Sequence, residues 1–238
     1  MSTAILLAGG MGTRMGDLAR ETPKTMLDVG GRSLLARHID RLAAVGITDI
    51  VVATGHLGGR VEQLLDEEVS DAIGLRYSRE ESPLGTGGAL RLAASRGLDP
   101  DETVVIVNGD LISEHDLSAH LDAARGSDWC IHVRMVDDAR AFGVVDVRPD
   151  QTIEAFREKP DDIGPRLVNA GTYVTRGALL HALPDTVPLS LEYTVFPQAV
   201  AEGLVVTAFR DDARFEDVGS PEALARARAI AAVEATHG

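Results

Sequence analysis

The stretch that decides the fold is Ile5-Leu6-Leu7-Ala8-Gly9-Gly10-Met11-Gly12-Thr13-Arg14-Met15, ILLAGGMGTRM. An apolar run stops at three glycines within four residues, and a threonine and an arginine follow. The run reads as a buried strand over 3–8. The glycines read as a loop at its carboxyl end, where backbone amides can approach an anion with no Cβ in the way.

The same alternation continues downstream. Ser33 reads as the cap of a helix reaching about Val45, with Leu34, Leu35, Ile39 and Leu42 on one face and Gly46 ending it. Residues 50–53 read as a buried strand, 57–67 as a helix, 74–77 as a strand and 86–95 as a helix. Residues 103–107, TVVIV, read as another buried strand. Ser113 is expected to cap a helix over 114–124. Such βαβα order predicts an α/β fold with a doubly wound, mainly parallel sheet covered on both faces.

After Ser127 the character changes. Strands are expected over 129–136, 143–147, 152–157 and 167–174 with short connections, as a more antiparallel region over the carboxyl ends of the first sheet. Short helices near 178–182 and 192–201 and a strand over 204–209 follow. Ser220-Pro221-Glu222 opens a last helix, with a cap, a proline at the first helical position and an acid in the first turn. No repeat or low-complexity linker divides the 238 residues. The expectation is a single domain over 1–238, with a first part over 1–126 and a second part, which includes the last helix, over 127–238.

Bulk properties narrow the function classes. The net charge of −14 argues against general nucleic-acid binding, which needs a broad basic surface. No apolar stretch approaches the roughly 20 residues of a membrane span. One cysteine, Cys130, allows no internal disulfide and no cysteine metal cluster. A cytoplasmic protein that uses neither nucleic acid nor membrane is expected. Of 23 basic residues only Lys24 and Lys159 are lysine. In so arginine-rich a chain, a retained lysine suggests a place that needs a compact ammonium.

The common phosphate loops do not fit. A Walker loop needs Gly-Lys-Ser/Thr, but Lys24 follows Pro23 and Lys159 follows Glu158. A dinucleotide fingerprint would place a third glycine where Met15 stands. The seven histidines are scattered, with no metal-ligand spacing, and His38, His120 and His181 read as surface or packing residues.

What remains is a linked set of motifs. LLAGGMGTRM and TPKTMLDVGGRSLL are followed by SPLGTGGAL (82–90), VNGDL (107–111), FGVVD (142–146), EKP (158–160), NAGTY (169–173) and FEDVGSPE (215–222). In this order they closely resemble the sugar-1-phosphate nucleotidyltransferase family over nearly the whole chain. EESPLGTGGALRLA and LSLEYTVFP are most similar to the bacterial D-glycero-α-D-manno-heptose 1-phosphate guanylyltransferases.

The resemblance implies a nucleotide-diphospho-sugar transferase fold with a small antiparallel sugar-binding subregion, in which 1–126 is the nucleotide-binding part and 127–238 the sugar-binding part and C-terminal helix. It implies transfer of a nucleotidyl group from an NTP to a sugar 1-phosphate with release of pyrophosphate. The substrates are thus an NTP and a sugar 1-phosphate, and association into a homo-oligomer is compatible with this reading. The implied nucleotide site holds Leu7, Ala8, Gly9, Gly10, Gly12, Thr13, Arg14, Lys24, Glu80, Pro83, Gly85 and Thr86. Arg14, Lys24 and Asp110 are the implied catalytic set, and Asp110 and Asp217 the ligands of Mg²⁺, which takes one or two carboxylates plus phosphates and water. Asn108, Gly143, Glu158, Lys159, Asn169, Gly171 and Glu192 would hold the sugar phosphate.

Chemistry supports these roles. A turn-stabilising glycine cluster would not call for Arg14 and Lys24 together. Glu80 stands where the family reads the base, and a carboxylate only accepts hydrogen bonds. Guanine offers adjacent N1–H and N2–H donors, so GTP is favoured over UTP, CTP, ATP or dTTP. Heptose 1-phosphate is favoured as the acceptor, with another hexose or a cyclitol phosphate as the alternative. A catalytically silent sugar-nucleotide-binding subunit would be marked by loss of Arg14, Lys24, Asp110 or Asp217, and all four are present.

Overall fold

The computed structural model describes residues 2–10, 15–16, 22–140, 142–158 and 164–237. Gly12, Thr13, Arg14 and Lys159, which the sequence points to as site residues, lie outside the described residues, as does the side chain of Glu158. The first strands are β1 (Ser2–Leu7), β2 (Asp49–Thr54), β3 (Gly74–Arg79), β4 (Thr103–Asn108) and the short β5 (Leu111–Ser113). Then come β6 (Trp129–Val136), β7 (Gly143–Val147), β8 (Ile153–Glu158), β9 (Arg166–Arg176), β10 (Val206–Arg210) and β11 (Phe215–Asp217). The helices are α1 (Leu34–Ala44), α2 (Gly58–Glu68), α3 (Gly85–Ala94), α4 (Leu117–Ala123), α5 (Gly177–His181), α6 (Phe196–Ala201) and α7 (Pro221–His237).

The central sheet has the order β10-β6-β9-β4-β1-β2-β3. β4, β1, β2 and β3 are parallel, β9 runs antiparallel to both its neighbours, and β10 is parallel to β6. β1 is the pivot: Ile5 pairs with Val51 on one side and Ile106 on the other.

Side-chain alternation separates two cores. Ile5, Val51, Val104 and Ile106 pack with Leu90 and Ala93 of α3 and Phe196 of α6. Leu6, Ile50, Val52 and Val105 pack with Leu35 and Ile39 of α1 and Leu65 of α2. Successive residues of a strand point to opposite faces, so an apolar run such as AILL can serve both layers. Each such aliphatic side chain, fully buried, contributes about 1.5–3 kcal/mol. A third cluster seats Leu224 and Ala227 of α7 on Leu34, Ile112 and Val218.

Two expectations change. The strands after Ser127 do not form a separate region over the carboxyl ends. β6, β9 and β10 extend the central sheet, and the β7–β8 hairpin joins β9 through Val144 and Val168. The separate antiparallel sheet is the small β5–β11 pair. Nor does Ser113 cap the helix after it. It closes β5, and Asp116 caps α4 by accepting from the Ala119 amide at 2.9 Å. Long-range pairing with 215–217 keeps the backbone extended past Ser113 and overrides the local cap signal.

Candidate active site

Two adjoining clefts open at the carboxyl ends of the parallel strands, where the order turns from β1 to β4 on one side and β2 on the other. Open α/β sheets bind ligands at such a switch point. The smaller cleft, about 310 Å³, is lined by Leu7, Ala8, Gly9, Gly10, Lys24, Thr86, Asn108 and Asp110, together with Pro23, Thr25 and Gly219. The larger, about 950 Å³, shares Leu7, Gly9, Gly10 and Thr86 and adds Glu80, Pro83 and Gly85. The residues that the sequence assigned to the nucleotide thus fall on one continuous surface, as far as they are described.

Asp110 owes its position to the glycine before it. The Gly109 amide donates to Leu7 O at 2.9 Å, and a Cβ on Gly109 would lie 2.9 Å from that same oxygen. Only glycine lets the exit of β4 cross the end of β1 so closely. Lys24 stands on a single tight turn, Lys24–Met26, after Pro23, with Met26 anchored in the core. Its Nζ reaches Asp110 Oδ2 at 2.7 Å. The Lys24 side chain is 11% exposed and that of Asp110 39%. The ammonium is therefore largely withdrawn into the cleft, while the carboxylate keeps an open side.

Asp217 comes from the far end of the chain to a neighbouring cleft, which Phe142, Phe215 and Gly219 also line and which meets the smaller cleft at Gly219. It pairs with Leu111 in the β5–β11 ladder, and the Val218 amide donates to Asp110 O at 3.0 Å. Two carboxylates are hard oxygen donors and suit a magnesium ion that also holds phosphate oxygens and water. Among the described residues no group of three or more His, Cys, Asp or Glu is arranged to hold a metal. Asp110 and Asp217 are the two carboxylates that the sequence motifs assign to such an ion.

Glu80 follows β3, and its amide donates to Thr54 O at 2.9 Å. Its carboxylate lies against two glycines. A Cβ on Gly55 would lie 2.5 Å from Glu80 Oε1, and one on Gly9 3.2 Å from it. Oε2 accepts the Leu84 amide at 3.0 Å. Glu81 is exposed on the rim of the same cleft.

Of the residues expected to hold the sugar phosphate, Asn108 ends β4 beside Leu7, and its buried Oδ1 has no hydrogen-bond partner among the described residues. A buried acceptor left open in a cleft is suited to a ligand hydroxyl. Gly171 sits beside it with φ +69°, in a bulge of β9 where a Cβ would collide with Leu111. Asn169 holds this bulge: its Oδ1 accepts the Gly171 amide at 2.9 Å and its Nδ2 donates to the Tyr173 hydroxyl at 2.9 Å. Gly143 pairs with Glu158 across the β7–β8 hairpin. Glu192 lines neither cleft; its Oε2 accepts from the Thr86 hydroxyl at 3.0 Å.

Sequence reasoning missed Gly55, His56, Leu57 and Arg79, which line the larger cleft. The available signal was a second strand-then-glycine turn, ATGHLGG, at the end of β2. Leu57 there is held at φ +59°, a conformation that leucine rarely adopts. The histidines are also not all scattered. His115 and His132 stack with ring centres 4.0 Å apart, and both ring Nδ1 atoms meet Ser113 Oγ. His120 reaches His115 at 3.3 Å, and His132 reaches Asp211 at 3.1 Å. Burial is the main cause that lowers all three imidazoles, His120 to about 3. His38 is likewise buried and lowered to about 4.

The geometry can now be set beside known proteins. Residues 3–233 match the nucleotidyl transferase family. This chain belongs to that family. A mannose-1-phosphate guanylyltransferase of Mycobacterium tuberculosis is 33% identical over 229 residues, 95% of this chain and 63% of that protein. A mannose-1-phosphate guanyltransferase of Emericella nidulans is 32% identical, over 92% of this chain and 61% of its own length. The chain thus spans about three-fifths of the length of the curated relatives it matches. The crystal structure of HddC from Yersinia pseudotuberculosis complexed with GMP-PN superposes with a TM-score of 0.83, at 27% identity over 97% of this chain and 99% of that one. As a nucleotidyl transferase family member, the chain places its first cleft where the strand–glycine-loop motif begins.

Proposed function

We propose that this protein transfers a guanylyl group from GTP to a manno-configured sugar 1-phosphate, giving a GDP-sugar and pyrophosphate. The observation that carries the reading is the pairing of Lys24 with Asp110 in a cleft that runs directly into the one holding Glu80. Membership of the nucleotidyl transferase family supports the reaction class, and the mannose-1-phosphate guanylyltransferases among the relatives support the base. Heptose 1-phosphate, favoured by the chain's motifs, and mannose 1-phosphate, named for the relatives, share the manno ring.

The larger cleft suits the nucleoside. Glu80 Oε1 faces Gly9 and Gly55, and Oε2 keeps lone-pair capacity beyond the Leu84 amide. Guanine N1–H and N2–H fit such an acceptor, whereas uracil and thymine would set carbonyls against it. The glycine loop brings backbone amides to the phosphates. An oxygen of the sugar phosphate attacks the α-phosphorus of GTP, a P–O bond forms, and the bond to the pyrophosphate oxygen breaks. No base needs to remove a proton, because a phosphate monoester is largely dianionic near pH 7.

Catalysis then rests on position and charge. Lys24, mostly withdrawn from solvent, neutralises phosphate oxygens at the end of β1. Arg14 is assigned to the leaving pyrophosphate and Lys159 to the sugar phosphate, both from the sequence motifs. Asp110 and Asp217 would hold Mg²⁺, which when bound neutralises phosphate charge. Asn108 Oδ1 is offered to a sugar hydroxyl.

The test is pyrophosphate release with Mg²⁺, each common NTP and a panel of mannose, heptose, glucose and cyclitol phosphates. GTP with a manno-configured acceptor should give the highest kcat/KM. No release with any pair would remove the enzyme reading, and equal use of UTP and GTP would remove the role of Glu80.

A further inference from the structure

The glycines of Ser82-Pro83-Leu84-Gly85-Thr86-Gly87-Gly88 invite the reading that they make room for a nucleotide. Their surroundings say otherwise. A Cβ on Gly85 would collide with Leu189 O, and one on Gly87 would lie 2.9 Å from Leu189 Cγ. The space that Gly85 and Gly87 leave is filled by the protein's own Leu189, whereas a Cβ on Gly88 would meet Leu84. Gly85 also needs its glycine for φ +76°.

The contact is a stitched seam. The Leu189 amide donates to Leu84 O at 2.8 Å, and the Gly87 amide donates to Leu189 O at 2.8 Å. The Leu191 amide donates to Thr86 Oγ1 at 2.8 Å, and the Thr86 hydroxyl donates to Glu192 Oε2 at 3.0 Å. Ser190 Oγ donates to the same carboxylate oxygen at 2.9 Å. A hydroxyl has one proton, so Thr86 has none left for a nucleotide. At the near end of the seam, the Leu84 backbone carries both the carbonyl bonded by the Leu189 amide and the amide bonded to Glu80 Oε2.

We propose that residues 189–192 form a strap that sets the base-reading loop, with Glu192 as a positioning residue for Glu80 and not a ligand of the sugar. This deepens the proposed function and rests on it for the role of Glu80. The path is explicit: Glu192 fixes Thr86, the strap fixes the Leu84 carbonyl, and the amide of the same residue fixes one oxygen of Glu80. Glu80 is thereby left one orientation, with Oε1 against Gly9 and Gly55.

Steady-state kinetics of Glu192→Ala, Glu192→Gln, Thr86→Val and Thr86→Ser test it, each substrate being varied while the other saturates. Glu192→Ala and Thr86→Val should raise KM for GTP about tenfold and narrow the GTP-over-UTP ratio of kcat/KM, with KM for the sugar phosphate within about twofold. Glu192→Gln keeps an amide oxygen for both hydroxyls, and Thr86→Ser keeps the hydroxyl, so both should restore most of the GTP affinity. A rise in sugar phosphate KM with GTP KM unchanged would overturn the proposal and make Glu192 a sugar ligand. Equal loss on both substrates with no rescue by Gln or Ser would also overturn it. Thermal melting identifies a variant that has lost its fold, and Thr86→Val, nearly isosteric, is the arm that keeps its volume. If wild-type enzyme does not prefer GTP, the base reading fails by itself. The strap is then judged on KM for the NTP it does use against KM for the sugar phosphate.

Discussion

Lys24 Nζ lies 2.7 Å from Asp110 Oδ2, joining a turn after β1 to the exit of β4. The two residues are 86 apart in sequence and meet because their strands are neighbours. With Asp110 39% exposed, the pair is too open to be a large stability term. In the proposed reaction its value is a fixed ammonium beside the phosphates. Lys24→Met should lower kcat by about 10²–10³, the cost of removing one preorganised group that meets transition-state charge. Urea unfolding should change by at most about 1 kcal/mol. A parallel loss of stability and rate would instead make Lys24 a structural residue.

Glu80 and Gly55 give a second prediction. Glu80→Gln keeps an acceptor for the Leu84 amide but puts an N–H donor in the base-reading group. The GTP-over-UTP ratio of kcat/KM should fall about 10–100-fold, the worth of a hydrogen bond to a charged group. Gly55→Ala leaves the carboxylate in place chemically but pushes a methyl to 2.5 Å from Oε1. It should raise KM for GTP without changing KM for the sugar phosphate. Unchanged GTP kinetics in both variants would detach Glu80 from the base.

Metal removal separates the carboxylates from the fold. Asp110 and Asp217 sit on backbone held by the β5–β11 ladder and by the Val218 amide, so no ion is needed to assemble them. Chelation should abolish pyrophosphate release while the melting curve shifts little, and added Mg²⁺ should restore it. Asp217→Asn should raise the Mg²⁺ concentration for half-maximal rate. A chelated protein that unfolds would contradict this account.

The sequence carried the parallel core because its information is local: TVVIV and AILL are buried whichever partner they find, and Ser33 does cap α1, accepting the Ala36 amide at 3.2 Å. The glycine turn, Glu80 and Asp110 stood out because each lies just past the end of a strand, and Lys24 because it is one of only two lysines. The β5–β11 ladder was not, because three-residue strands at 111–113 and 215–217 have no periodicity of their own and form only against each other. The place of residues 127–238 was lost for the same reason, since nothing local tells β6 that β9 will lie between it and β4. The strap on Gly85 and Gly87 was hidden because a glycine looks the same whether it yields to a phosphate or to Leu189.

Acid should unfold this protein early. His38 and His120 are buried neutral at about 4 and about 3, while an unfolded imidazole titrates near 6.5. His115 and His132 are lowered in the same direction, mainly by burial. Between these values the unfolded chain binds protons that the folded chain refuses, so stability is full above about pH 6.5 and falls as pH drops. Each such histidine contributes a slope of about 1.4 kcal/mol per pH unit, ending for His38 near pH 4 and for His120 near pH 3. Unfolding free energy measured in urea from pH 7 to 4 should fall with a slope of more than one proton. His120→Phe, next to the Phe209 ring on which His120 already stacks, should remove about one proton from that slope. A flat profile would mean that the cluster is not held neutral.

The bulge at Gly171 links the proposed sugar residues Asn108 and Asn169 to the β5–β11 ladder that carries Asp217. Gly171 has φ +69°, and a Cβ there would strike Leu111 Cδ1, the residue that pairs with Asp217. Gly171→Ala therefore imposes two costs at once. The left-handed backbone disfavours alanine by about 1–2 kcal/mol, and the displaced Leu111 disturbs the ladder on which Asp217 stands. Stability should drop by about 1–3 kcal/mol. The Mg²⁺ concentration for half-maximal rate should rise together with KM for the sugar phosphate, while KM for GTP holds near the wild-type value. A variant with lowered stability and unaltered Mg²⁺ dependence would show that the bulge serves β9 alone and does not reach the carboxylate pair.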